Sequence, residues 1–184
     1  MRRITISIFS LGLAGAMVAG ILIARTAAQE GSPTPGGPIA ALELAPGVTA
    51  EVFGAAPSSG APGHTLYVAR FTFQPGAEIF PHNHQGTTLL GIESGSLGWT
   101  LGAGTAHVVR EAAGGAAGPA EDLTAPGTDV VLEPGDAIFY EADVVHTARG
   151  ASDEPTIVLG TFVLEAGEPL LMPVDMLMAA TPST

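Results

Sequence analysis

Residues 76–95 read GAEIFPHNHQGTTLLGIESG, and the reading of this stretch decides the fold. The turn Gln74-Pro75-Gly76 opens it, Glu93-Ser94-Gly95 closes it, and between them lie two short apolar runs, Glu78 to Pro81 and Thr88 to Glu93. Runs of this length bounded by glycine and proline read as strands rather than helices. His82 and His84 are separated by one residue of extended chain, where alternate side chains share a face. Both imidazoles then point the same way, with backbones about 7 Å apart along the strand. Two imidazoles that close can chelate one ion, although a His-x-His pair taken alone carries little specificity.

The chain on either side repeats the pattern of short apolar run and turn. Further strands are expected at Val48 to Phe53, Thr65 to Gln74, Ser96 to Leu101, Thr105 to Arg110, Asp129 to Leu132, Ala137 to Tyr140, Val145 to Arg149 and Thr156 to Leu164. The 25 glycines and 15 prolines fall largely between these runs, as turn punctuation. The class is therefore all-β, a sandwich or barrel. Two stretches break the regularity. Glu111 to Gly127 (EAAGGAAGPAEDLTAPG) reads as a low-complexity surface loop, and Ala166 to Thr184 loses strand periodicity, with enough Leu and Met to pack along the body or another subunit.

A second segment, GDAIFYEADVVH at residues 135–146, supplies another histidine. The two segments together run Gly76, five residues, His82-Asn83-His84, three residues, Thr88, six residues, Gly95; then Gly135 through His146. They resemble the paired motifs of the cupin superfamily, in which Gly, five residues, His-x-His, three or four residues, Glu, six residues and Gly are followed by Gly, five residues, Pro-x-Gly, two residues, His, three residues and Asn. The resemblance covers roughly Ala61 to Leu164. It implies a single-domain jelly-roll barrel of the type-2-like kind, with His82, His84 and His146 meeting on one divalent metal ion inside it. Thr88 stands where the family usually has a glutamate ligand, Glu141 in place of proline, Asp143 in place of glycine, and Gly150 in place of the final asparagine.

Without the glutamate, three neutral imidazoles leave a divalent ion its full double charge, which makes the site electrophilic and receptive to anions. Three protein ligands with the remaining positions open resemble a catalytic arrangement more than a closed structural one. Iron, zinc, manganese, copper and nickel all suit imidazole. The implied activity is a metal-dependent, dioxygenase-type reaction on a small anionic molecule. The competing expectation is a non-catalytic extracytoplasmic module that binds a small molecule or the metal itself. The family also implies a homodimer.

The remaining chemistry-bearing residues read more plainly. Arg70, mid-strand, is expected in a surface ion pair, with capture of a substrate carboxylate as the alternative if it faces inward. His64 and His107 are expected in ordinary surface roles, Glu141 in solvent, and Phe80, Trp99, Phe139 and Tyr140 at the pocket mouth or in the core.

All six basic residues are arginine, against eighteen acidic residues, for a net charge of −12. Three of the arginines lie in the first 25 positions, so the body is more acidic still. Such a body repels phosphate backbones, and nucleic acid is excluded as a partner. The chain has no cysteine, so any metal is held by nitrogen and oxygen. Arg2 and Arg3 precede an uncharged stretch from Ile4 to Ala24, and Thr26-Ala27-Ala28 offers small residues for cleavage. Residues 1–28 are accordingly expected to be a signal peptide or an N-terminal membrane anchor, and the body extracytoplasmic. Residues 29–38 read as a flexible Pro/Gly linker, 39–175 as the cupin domain and 176–184 as a C-terminal tail.

Overall fold

The computed structural model describes residues 40–174. The expected signal or anchor at 1–28, the linker at 29–38 and the tail at 176–184 lie outside the described residues. The described chain is all-β, with no helix: β1 (Ala40–Ala45), β2 (Val48–Pro57), β3 (His64–Phe73), β4 (Glu78–Asn83), β5 (Gly86–Ser94), β6 (Leu97–Ala103), β7 (Ala106–Ala112), β8 (Ala116–Leu123), β9 (Asp129–Leu132), β10 (Ala137–Tyr140), β11 (Val145–Gly150), β12 (Thr156–Glu165) and β13 (Met172–Pro173).

These strands form two antiparallel sheets. The larger runs β1-β2-β3-β12-β5-β10-β7-β8 and the smaller β13-β4-β11-β6-β9. Strands in such sheets bury one face, and the alternation is plain: β12 buries Thr156, Val158, Gly160, Phe162 and Leu164 while the residues between them are more exposed. One hydrophobic core joins both inner faces, with Phe71, Ile138 and Phe162 from the large sheet meeting Leu97, Trp99 and Leu101 from the small one. Most pairings are long-range. β3 pairs with β12 over its full length, from Phe73 opposite Thr156 to His64 opposite Glu165.

The expected strands all occur, with boundaries moved by a few residues. The expected loop at Glu111 to Gly127 is a correction: it contains β8, which pairs with β7 from Ala106 opposite Leu123 to Ala112 opposite Ala116. Alanine, glycine and acidic residues have weak strand preference. β8 extends as a strand because β7 offers it a ladder, and its side chains remain mostly exposed at the sheet edge. β1 was not anticipated for the same reason. It is the opposite edge strand, with the sequence AALELA and an exposed burial pattern. The segment after Ala166 packs on the body as far as it is described, with β13 adding a short edge to β4.

Candidate metal centre

His82 lies on β4 and faces inward, 2% exposed. The chain continues through His84, 5% exposed, and then bends at Gly86 to leave the small sheet and enter β5 of the large one. Gly86 has φ of 155°, and a Cβ there would overlap the Val163 carbonyl oxygen, so the bend next to the histidine pair demands glycine. His146, 2% exposed, stands on β11 directly opposite His82 in the register. The register shifts on both sides of this residue, between Val145 and His146 against β6 and between His146 and Ala148 against β4. Irregularities of this kind re-aim a side chain at the expense of the ladder.

The turn before β11 explains one departure from the family pattern. Asp143 has φ of 67°, a left-handed conformation that glycine adopts without cost and aspartate tolerates better than most residues. Its backbone N–H donates to the His84 carbonyl at 3.3 Å, and its carboxylate accepts from Asn83 and Gln85 at 3.5 and 3.4 Å. The turn that leads to His146 is thereby tied to the backbone that carries His84.

The three rings converge. Ring centroids are 4.2 Å apart for His82 and His146, 5.1 Å for His82 and His84, and 5.4 Å for His84 and His146. Each residue offers a ligand nitrogen, and these nitrogens all lie within 4.8 Å of one another. Three nitrogens each about 2.1 Å from one ion lie at most about 3.6 Å from one another, so inward movements of about an ångström let all three share an ion. Each Nδ1 is turned to a backbone carbonyl: His82 to Phe80 at 2.8 Å, His84 to Leu170 at 2.6 Å and His146 to Val144 at 3.2 Å. With Nδ1–H donating outward, Nε2 of each ring presents its lone pair inward, and such outer partners fix ring orientation.

Burial keeps the imidazoles neutral, as ligation requires. It lowers the His82 pKa and pushes His84 down to about 3, with the nearby His82 adding to the effect. His146 is held well below its ordinary value by burial first and by His82 and His84 second. Among the described residues, no carboxylate belongs to this cluster. The nitrogen-only donor set therefore fits a divalent transition ion and leaves its charge uncancelled.

The histidines open onto a cavity of about 30 Å³, walled chiefly by Phe71, Phe73, Leu90, Leu97, Phe162 and Leu171. Leu171 and the Leu170 carbonyl come from the segment that follows β12, and Pro173 pairs opposite His82. This contribution from late in the chain has no signal in the sequence, since its partner His84 lies 86 residues away. Tyr140 lies buried in the core, one of its two expected places, and what the sequence did not signal is its hydroxyl, which donates to His146 Nε2 at 3.2 Å. Strand alternation could have found it, because Ile138 and Tyr140 share the inner face of β10.

The other residues fall where the plainer expectations put them, with Phe139 the exception. Trp99 is fully buried in the core and stacks on His146 with centroids 4.9 Å apart. Phe139 faces outward, stacked on His107, which pairs with Asp122. Phe80 is 39% exposed and rests edge-on against His82. Arg70 faces outward and bonds Glu93 at 3.0 Å, which rules out the inner carboxylate-binding role. Exposed Glu141 accepts from the Thr87 hydroxyl, away from the histidines. Thr88, at the family's glutamate position, is fully buried with a hydroxyl that has no partner. His64 opens β3.

No family model matches the chain, and no curated protein matches its sequence. Solved structures do match. A cupin superfamily protein from Desulfitobacterium hafniense is 14% identical over 64% of this chain and 77% of its own, with a TM-score of 0.43. A cupin 2 conserved barrel domain protein from Leptotrichia buccalis is 15% identical over 63% of this chain and 40% of its own, with a TM-score of 0.43. Bacillus subtilis oxalate decarboxylase, described with Mn(II) centres, is 18% identical over 79% of this chain and 32% of its own, with a TM-score of 0.47. The solved structures to which this all-β chain is similar thus include members of the cupin superfamily.

Proposed function

We propose that this chain is an exported, single-domain jelly-roll cupin that holds one divalent metal ion through His82, His84 and His146 and uses it on a small anionic molecule, with dioxygenase-type chemistry as the leading version. The observation that carries the reading is the convergence of three buried, neutral imidazoles, each with Nδ1 engaged by a carbonyl and Nε2 turned towards the other two rings. Histidines in an inert core have no need of a shared inward lone-pair direction. When bound, the ion supplies Lewis acidity to whatever occupies its open positions. The chain's own residues orient the rings, keep them uncharged and enclose them in apolar walls that exclude bulk water. Export through residues 1–28, attachment at the membrane through residues 4–24 and homodimer formation belong to the same proposal.

A second reading is a binding module without turnover. It is favoured by the small cavity and by the absence, among the described residues, of any carboxylate in the histidine cluster to act as acid or base. Metal analysis of untagged protein tests the shared part. One ion per chain is expected, with loss in His82→Ala and His146→Ala, and a metal-free chain refutes both readings. Oxygen uptake with candidate small carboxylates then separates them, since bound metal without uptake selects the module.

A further inference from the structure

Tyr140 donates its hydroxyl to His146 Nε2 at 3.2 Å. That lone pair is the one an ion would take, because Nδ1 of the same ring faces the Val144 carbonyl. With the ion in place, the phenol O–H loses its acceptor while its residue remains 1% exposed. Two further buried groups stand around the phenol oxygen. Thr88 is the register partner of Tyr140 across β5 and β10, and its hydroxyl has no hydrogen-bond partner. The Trp99 indole N–H is also without one. Both approach the phenol oxygen without completing hydrogen-bond geometry.

Donor arithmetic then constrains what the ion carries. The indole can only donate, and two hydroxyls can share only one of their hydrogens between them. One O–H is always left over, facing the site, and it requires an acceptor. The charge count agrees: three neutral imidazoles, with no carboxylate in the cluster among the described residues, leave a divalent ion uncompensated in apolar surroundings, where an unpaired charge is strongly disfavoured.

We propose that the open side of the ion is a binding site for a small monovalent anion, held by the Tyr140 hydroxyl with Thr88 and Trp99 supporting it from behind. This rests on the metal-binding reading above and names the residue that holds its small anionic molecule. Tyr140 is the residue that touches the anion, and Thr88 and Trp99 act through it.

The test uses the full chain loaded with cobalt(II), whose visible spectrum reports ligands entering its coordination sphere. Azide and formate are titrated as probes, and both are expected to shift the spectrum. Tyr140→Phe is expected to weaken azide by about tenfold, equivalent to about 1.4 kcal/mol. Thr88→Val, which cannot support the phenol, is expected to weaken it by about threefold. Cobalt-loaded wild type whose spectrum neither anion shifts overturns the anion site, and azide affinity equal to wild type in both variants overturns the donor role. Failure of the wild-type chain to take up cobalt overturns the metal reading itself, a result distinct from the other two. If Tyr140→Phe does not retain cobalt, the Thr88→Val titration decides.

Discussion

Acidification of the metal-free chain provides a direct measure of how deeply the histidines are buried. His84 has its pKa pushed from 6.5 down to about 3 in the folded state, by burial first and by His82 second. The unfolded chain takes up a proton at the ordinary value, so below about pH 6.5 the unfolded state binds more protons than the native one. Stability is therefore complete above that pH and is lost as the pH falls towards 3. Each pH unit in this window costs about 1.4 kcal/mol per histidine, so His84 alone accounts for about 2.7 kcal/mol between pH 6.5 and about 4.5. His146 and His82, lowered by the same burial, act in the same direction.

Asp129 does not mask this effect: it is drawn down to about 2 chiefly by its bonds to Arg149, and its contribution fades only below the ordinary carboxylate range. Trp99, the single tryptophan, is fully buried against His146, so its fluorescence follows unfolding at the site itself. Urea midpoints measured by that signal between about pH 7.5 and 4.5 should fall, and His84→Gln, which cannot titrate, should flatten the slope by the His84 share. Equal slopes in wild type and His84→Gln refute the claim that His84 is held neutral by its surroundings.

Three further outcomes are expected. Asp143→Gly should alter stability by less than about 1 kcal/mol, because glycine relieves the left-handed backbone while losing the contacts to Asn83 and Gln85; Asp143→Val should cost at least about 1–3 kcal/mol by thermal denaturation, and equal effects would show that the turn is unstrained. Asp136 accepts from the backbone N–H groups of Glu111 and Glu133, each at 3.0 Å, and from Arg110 at 2.6 Å, so Asp136→Ala should lower the urea-derived stability by about 2–4 kcal/mol, and a loss below about 1 kcal/mol would show these bonds to be dispensable. A chain ending at Glu168 lacks the Leu170 carbonyl that orients His84, and competition with a chelator should show metal affinity about 10-fold to 100-fold weaker; unchanged affinity would remove that carbonyl from the site.

The parts of the fold legible in the sequence are those encoded by local pattern. Strands from β2 to β12, apart from β8, carry branched and aromatic residues between turn residues, and the His82 and His84 pair declares its shared face by spacing alone. His146 became a partner through the resemblance of two segments, and its position opposite His82 in the register shows why that pattern spans distant stretches. The edge strands β1 and β8 were not legible, because their alanines and glycines express no preference until a neighbouring strand supplies hydrogen bonds. The Leu170 carbonyl and the Tyr140 hydroxyl escaped for another reason. A backbone acceptor has no side-chain signature, and a tyrosine on the inner face of a strand looks like core until its oxygen is placed beside a nitrogen.

The bond between the His84 ring and the Leu170 carbonyl also bears on how the protein is made. A chain grows from its N-terminus, so His82, His84 and even His146 leave the ribosome before the residue that locks the middle ring. During that interval the histidines can meet metal only with the His84 imidazole free to turn, and the last wall of the cavity, Leu171, is also missing. If the chain holds a metal as proposed, its secure capture is a late event in biosynthesis, because a nascent chain without Leu170 and Leu171 would hold it less firmly than the finished molecule.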